Sequence, residues 1–277
     1  MKTLRYVICD VFAERPLEGN SLCVFTDARG LETAQMQALA RELNLSETTF
    51  VTRPEQGGHA KVRIFTPHRE LPFAGHPTLG TAIVLGGPLQ AILVRLELPI
   101  GIVPVQLERE GARVSFGWMT QPTPRVVPGP APEPLLAALG LDSVLTLEAY
   151  DNGARHVCVR VASVERLRGL QPDYAALGRA TDAGVGVFHR DGDVCRVRYF
   201  APAAGVNEDP ATGSFAGPLA LHLRQSGELA VGATLRIEQG AELQRPSTLY
   251  ARVEDGAEPR VEVGGAAQIV ARGQFLI

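Results

Sequence analysis

Along most of the chain apolar and polar residues alternate in short runs, the period of strands with one covered face. "YVICDVF" (6–12), "SLCVF" (21–25), "KVRIFTP" (61–67), "LVRLELPIGIVPVQLE" (93–108) and "RVSFGW" (113–118) read this way. Two helical segments interrupt them. "ETAQMQALARELNL" (32–45) places Ala, Met, Leu and Leu at helical spacing. "HPTLGTAIVLGGP" (76–88) is apolar on every face, which predicts a buried helix, and its Gly-Gly-Pro predicts where that helix stops. The Pro-rich stretch "QPTPRVVPGPAPEPLL" (121–136) reads as a linker into a helix at 134–140.

Beyond it the pattern begins again. "NGARHVCVRV" (152–161) is strand-like, "QPDYAALGRA" (171–180) helical, and "GVGVFHR" and "CRVRYFAP" are strands. An apolar helix, "SFAGPLALHLRQSG" (214–227), follows, and "TLRIEQG", "LYARVE", "RVEVGG" and "AQIVARGQFLI" close the chain as strands. "VRIFTP" (62–67) precedes "AGHPTLGTA", and "VRYFAP" (197–202) precedes "TGSFAGPLA". Gly19-Asn20 and Gly153 each open a strand upstream, at similar distances from Gly75 and Gly213. This repeat predicts a duplicated α/β (α+β) chain of two pseudo-symmetric lobes, each a curved, mostly antiparallel sheet or barrel around a buried helix. The expected lobes are 1–120 and 121–277, with the last strand, about 266–277, free to return to the first. A cleft between such lobes is a natural small-molecule site.

Composition narrows the partners. The 277 residues carry a net charge of −3 without any basic block, which argues against nucleic acid. No apolar run reaches membrane-spanning length, and "MKTLRYVICDVF" lacks the apolar core and cleavage site of a signal peptide, so a cytoplasmic protein is expected. The four cysteines, Cys9, Cys23, Cys158 and Cys195, sit in strand-like surroundings with neither metal nor redox spacing, and read as buried free thiols. The six histidines show no paired metal spacing, and there is no G-x-G-x-x-G after a strand and no P-loop. No metal and no cofactor are expected.

Candidate chemistry gathers at the two apolar helices. In "EDPATGS" (208–214) Asp209 and Pro210 would suit a helix N-cap, while the small residues after them suit an anion site at a helix N-terminus. Pro218 favours a helix that starts near Ser214, which leaves Asp209 outside it in a loop. The backbone N–H groups of Gly75-His76 and Gly213-Ser214 are the expected anchors for a substrate carboxylate. Glu47 follows a helix and precedes the apolar "TTFV", where partial burial would bring a carboxyl into the range of a general base; the alternative is a turn-capping residue. His76, at a helix start, is expected to be neutral, and a structural role stays open.

Four stretches, "GNSLCVF" (19–25), "LSETTFV" (45–51), "ELPFAGHPTLG" (70–80) and "NEDPATGS" (207–214), together resemble the PhzF-like family of phenazine-biosynthesis isomerases, similar in fold to diaminopimelate epimerase. The resemblance runs nearly end to end, from "DVFAERPLEGN" to "EQGAELQRPS", where Gln244 stands at a position the family often gives to Gly. It implies Glu47 as the proton-transferring acid, His76 and Asp209 as its catalytic partners, and Asn20, Gly75, Gly213 and Ser214 as substrate-binding residues. It also implies a homodimer and a small carboxylate substrate resembling an unsaturated or cyclic amino acid. The related epimerases carry a cysteine at each helix start; the aligned positions here are Ala74 and Thr212, which excludes two-thiol racemisation and leaves single-acid isomerisation. A Ser214-dependent hydrolase and a non-catalytic binding protein are the alternatives, the first weakened by the absence of a G-x-S-x-G elbow.

Overall fold

The structure is a computed structural model and describes residues 2–277. The chain forms two compact units: residues up to Thr120 together with Gly264–Ile277, and Gln121–Val263. It is a mixed α/β fold, mostly sheet, as the alternating pattern predicts.

The first unit contains β1 (Thr3–Val11), β2 (Asn20–Phe25), α1 (Thr33–Leu43), β3 (Glu47–Thr52), β4 (Ala60–Phe65), β5 (Glu70–Leu71), α2 (Gly75–Leu89), β6 (Leu93–Leu98), β7 (Gly101–Glu110) and β8 (Arg113–Gln121). The second contains β9 (Arg125–Val127), α3 (Pro132–Leu139), β10 (Thr146–Asp151), β11 (Arg155–Arg160), α4 (Val164–Arg168), α5 (Tyr174–Ala180), β12 (Gly184–Asp191), β13 (Val194–Ala201), β14 (Val206–Asp209), α6 (Gly213–Gln225), β15 (Thr234–Gln239), β16 (Ser247–Glu254) and β17 (Arg260–Gly265). The last strand, β18 (Ala267–Leu276), lies in the first unit.

Strand pairing carries the duplication. In the first unit β1 runs antiparallel to β18 and β2, and β2 parallel to β3. β3 is antiparallel to β4, β4 is antiparallel to β5 and parallel to β6, and β6 is antiparallel to β7. The second unit repeats every step. There β10 takes the place of β1, between β9 and β11; β11, β12, β13, β14, β15 and β16 follow as β2 to β7 do. Each series wraps one apolar helix, α2 or α6, each with eleven buried residues. Burial of the large apolar side chains among them, such as Leu79, Ile83 and Val84 in α2 and Phe215, Leu219, Leu221 and Leu223 in α6, at ~1.5–3 kcal/mol each, is the main stabilisation on offer to a helix with no polar face.

Each unit also has its own outer core. In the first, α1 lays Met36, Leu39 and Ala40 on Phe25, Phe50 and Phe65. Phe25 and Phe50 stack at 4.9 Å, and Phe65 meets Phe50 edge-on at 5.4 Å. In the second, Leu135, Leu139, Leu167 and Leu177 from α3, α4 and α5 cover Val157, Val159, Val185 and Val187.

Two local expectations are corrected and one element was missed. Gly86-Gly87-Pro88 does not end α2, which runs on to Leu89 and closes on Gln90 in the left-handed conformation. Pro88 lies inside the helix and has no N–H for the Val84 carbonyl, yet the helix runs one residue past it. The Pro-rich stretch is not all linker, since Arg125–Val127 pairs with β10. The short α4, capped by the Ser163 side chain on the Arg166 N–H, has too few residues to show a helical period.

Candidate active site

The first unit assembles Asn20, Ser46, Glu47 and His76. Asn20 opens β2 and Glu47 opens β3; the two strands are parallel neighbours, with Leu22 opposite Glu47. The approach to Asn20 is fixed by the loop before it. Asp10 is fully buried and accepts hydrogen bonds from the Ser21 hydroxyl at 2.8 Å and the Leu17 N–H at 2.7 Å. Gly19 has φ +67°, and a Cβ there would lie 2.3 Å from the Val11 carbonyl oxygen, so only glycine turns the chain into Asn20.

His76 is the second residue of α2 and is buried. Its Nδ1 lies 3.3 Å from Asn20 Nδ2, and Asn20 Oδ1 accepts from the Ser46 hydroxyl at 3.4 Å. His76 Nε2 is buried with no hydrogen-bond partner among the described residues. Burial pushes the His76 pKa down to about 3, opposed in part by a backbone hydrogen bond at Ser21. The ring is therefore neutral at working pH. Its 3.6 Å approach to Glu47 Oε2 is a polar contact and not an ion pair. The Glu47 side chain is 15% exposed: mostly shielded, yet still open to a reactant.

The second unit assembles Asp209, Thr212, Gly213 and Ser214. Asp209 ends β14, opposite Tyr199, and α6 starts at Gly213 with Thr212 as its N-cap. Asp209 thus stands outside the helix, as Pro218 implies. The Thr212 hydroxyl donates to Asp209 Oδ2 at 2.6 Å. Gln239 holds both residues: its Nε2 donates to the Asp209 carbonyl (2.7 Å) and the Thr212 hydroxyl (3.0 Å), and its Oε1 accepts from the Thr212 N–H (3.2 Å). Gly240 follows with φ +81°, and a Cβ there would lie 2.6 Å from the Pro210 carbonyl oxygen.

The start of α6 is clamped from the other side. Pro218 has no N–H for the Ser214 carbonyl, and Asn152 Nδ2 donates to that carbonyl at 2.9 Å instead. Gln121 Nε2 donates to the Gly213 carbonyl at 2.7 Å, and Asn152 Nδ2 also reaches Gln121 Oε1 at 3.2 Å. Among the described residues no histidine hydrogen-bonds the Ser214 hydroxyl.

Glu47, His76 and Asn20 are therefore brought together, with Gly75 as the first residue of α2. Asp209, Gly213 and Ser214 form a second set within their own unit. Gln121, Asn152 and Gln239 were missed from sequence. Gln239-Gly240 in "EQGAELQRPS" carried a signal; Gln121 and Asn152 lie in segments read as linker and strand and carried none. The N-caps of α2 and α6 are Ala74 and Thr212, so no thiol stands at either helix start. All four cysteines are buried. No three His, Cys, Asp or Glu residues cluster as metal ligands among the described residues. No described helix is long and apolar enough to cross a membrane.

The duplicated α/β fold is one that racemases and epimerases share, and full-length relatives of the chain are named isomerases, which makes it an isomerase on that fold. The fold of a probable proline racemase from Agrobacterium radiobacter K84 is similar, with a TM-score of 0.74 at 13% identity over 99% of this chain and 93% of that one. The chain belongs to the phenazine biosynthesis-like protein family, whose model matches residues 9–273. It is 48% identical to a trans-2,3-dihydro-3-hydroxyanthranilate isomerase of Pseudomonas aeruginosa over 98% of both chains. The crystal structure of a PhzF-family phenazine biosynthesis protein from Bacillus anthracis has the same fold, with a TM-score of 0.89 at 24% identity and full coverage of both chains.

Proposed function

We propose that this isomerase acts on trans-2,3-dihydro-3-hydroxyanthranilate or a close cyclic, unsaturated amino-carboxylate, with Glu47 as its single acid/base. The observation that carries this reading is the Glu47 carboxyl, largely shielded from water, 3.6 Å from a histidine that burial keeps neutral. Full-length similarity to an isomerase named for that substrate supports the choice of substrate class.

The Glu47 carboxylate takes a proton from a ring carbon next to the conjugated system and becomes the neutral acid. The electron pair left behind spreads through the double bonds toward the substrate carboxylate. The same acid then returns the proton to another carbon, and Glu47 ends as it began. His76, kept neutral by burial, lies beside the carboxyl without competing for the transferred proton. Gly75 in the first unit, and Asp209, Gly213 and Ser214 in the second, are the further substrate-binding residues of this reading, the glycine and serine N–H groups suited to a carboxylate and Asp209 to an amino group. Asn20 orients His76.

Turnover of this substrate in deuterated water tests the reading. Wild type should form product, and Glu47→Gln should lose at least ~10²-fold in kcat, with KM changed far less. Asp209→Asn should weaken binding and turnover together. An active Glu47→Gln with a dead Ser214→Ala would replace this reading by the hydrolase one.

A further inference from the structure

At the end of α2 opposite His76 the first unit contains a second cavity, of about 650 Å³. That volume suits a small organic ligand. Val7, Val51, Val84, Leu85, Pro88 and Leu89 give it an apolar wall, and Leu89 is half exposed at its mouth. Its charged lining residues are Arg5, His59 and Arg272, with no carboxylate among them.

The two arginines sit on one face of the β1–β18 ribbon. Arg5 is opposite Gln274 and Arg272 opposite Val7, which makes the arginines diagonal neighbours. Neither guanidinium has a hydrogen-bond or ion-pair partner among the described residues. His59 Nδ1 accepts the Arg95 N–H at 3.0 Å, so its ring presents an N–H donor from Nε2. Two like charges and a further donor face an apolar hollow without a counter-ion.

The fold does not require this hollow, because the second unit fills the equivalent place. Counted from the N-caps Ala74 and Thr212, His222 occupies the position of Val84. By strand pairing, Thr146 occupies that of Arg5 and Glu148 that of Val7. Thr146 Oγ1 lies 3.2 Å from His222 Nε2, and His222 Nδ1 lies 3.1 Å from the Tyr150 hydroxyl and 3.0 Å from Glu148. The Tyr150 hydroxyl also donates to Gln225, at 3.3 Å. A closed polar cluster in one unit is thus an open, cation-rimmed apolar cavity in the other.

We propose that this cavity binds an aromatic carboxylate. The ring system lies against Val7, Val84, Leu85 and Leu89, and the carboxylate meets Arg5 and Arg272. The C-terminal carbonyls of α2 carry partial negative charge, which turns the carboxylate away from the helix and toward the strands.

Calorimetric titration with 2-naphthoate tests the proposal. Saturable binding of one molecule per chain is expected, persisting in Glu47→Gln and weakening as salt is raised. The double variant Arg5→Gln/Arg272→Gln should weaken it at least ~10-fold, as should replacing the ligand by neutral 2-naphthamide. Arg5→Lys/Arg272→Lys should retain most of it, which separates loss of charge from loss of fold. Binding that the glutamine variant leaves unchanged, or an amide bound as tightly as the acid, would overturn the proposal. So would self-association abolished by the same variant, since the occupant would then be a second copy of the chain.

Discussion

At the scale of single residues, histidine burial has a measurable consequence. His76 and His156 are both buried, and burial pushes both pKa values down to about 3. Each is neutral in the folded chain and protonates at about 6.5 once unfolded. The unfolded chain therefore binds more protons below about pH 6.5, and stability falls as pH drops from there toward 3. Two such groups give a slope approaching ~2.8 kcal/mol per pH unit in mid-window, at ~1.4 each. Urea unfolding followed from pH 7 to pH 4 should show this loss, and His156→Gln should flatten it if the fold is kept. Glu47, His76 and Asp209 stand out in the sequence because each sits in a short stretch of unusual composition beside an apolar helix. Their roles as a set rest on the resemblance, since a lone Glu or His reads equally well as a cap or a core residue.

At the scale of elements, α6 begins where it does because Pro218 leaves the Ser214 carbonyl open for Asn152. Asn152→Ala should strand that buried carbonyl and cost about 1–3 kcal/mol. Pro218→Ala returns an N–H to the same turn. The double variant Asn152→Ala/Pro218→Ala should therefore recover part of the loss, and thermal melts of the four proteins close the cycle. A cost that simply adds would show that Asn152 acts elsewhere. Elements with a long period, α1, α2, α6 and the main strands, were legible from the alternation of apolar and polar residues. The end of α2 was not, because Gly-Gly-Pro reads as a stop unless the buried face continues past it. Nor were β9 and α4, which are too short to repeat and exist through their partners: β10 for the first, the Ser163 cap for the second.

At the scale of the whole molecule, the first unit is built from two stretches of chain. β18 pairs along the length of β1, and Phe275 packs on Tyr6 at 5.5 Å and Phe25 at 5.7 Å. Truncation after Gly265 would open the β1 edge and one side of that aromatic cluster. The truncated chain should be insoluble or lose cooperative unfolding, and adding back a peptide of residues 266–277 should recover soluble protein. The duplication was legible because two pairs of motifs recur at similar spacing; identical pairing of every successive strand is its structural counterpart. The hydrogen bonds of Gln121 and Asn152 were not legible, since each joins residues far apart in sequence with no local pattern to mark them.

The absence of sulfur at the two helix starts has a practical outcome. Burial pushes Cys23 and Cys195 up to about 12 and raises Cys9 and Cys158 as well, so none is a thiolate at neutral pH. The proposed proton shuttle on the Glu47 carboxyl uses no thiolate that an alkylating agent could consume. Native protein exposed to iodoacetamide should keep its activity and its intact mass, where an enzyme working through a thiol pair would be inactivated. Such a catalyst can operate, and be stored, without a reducing agent.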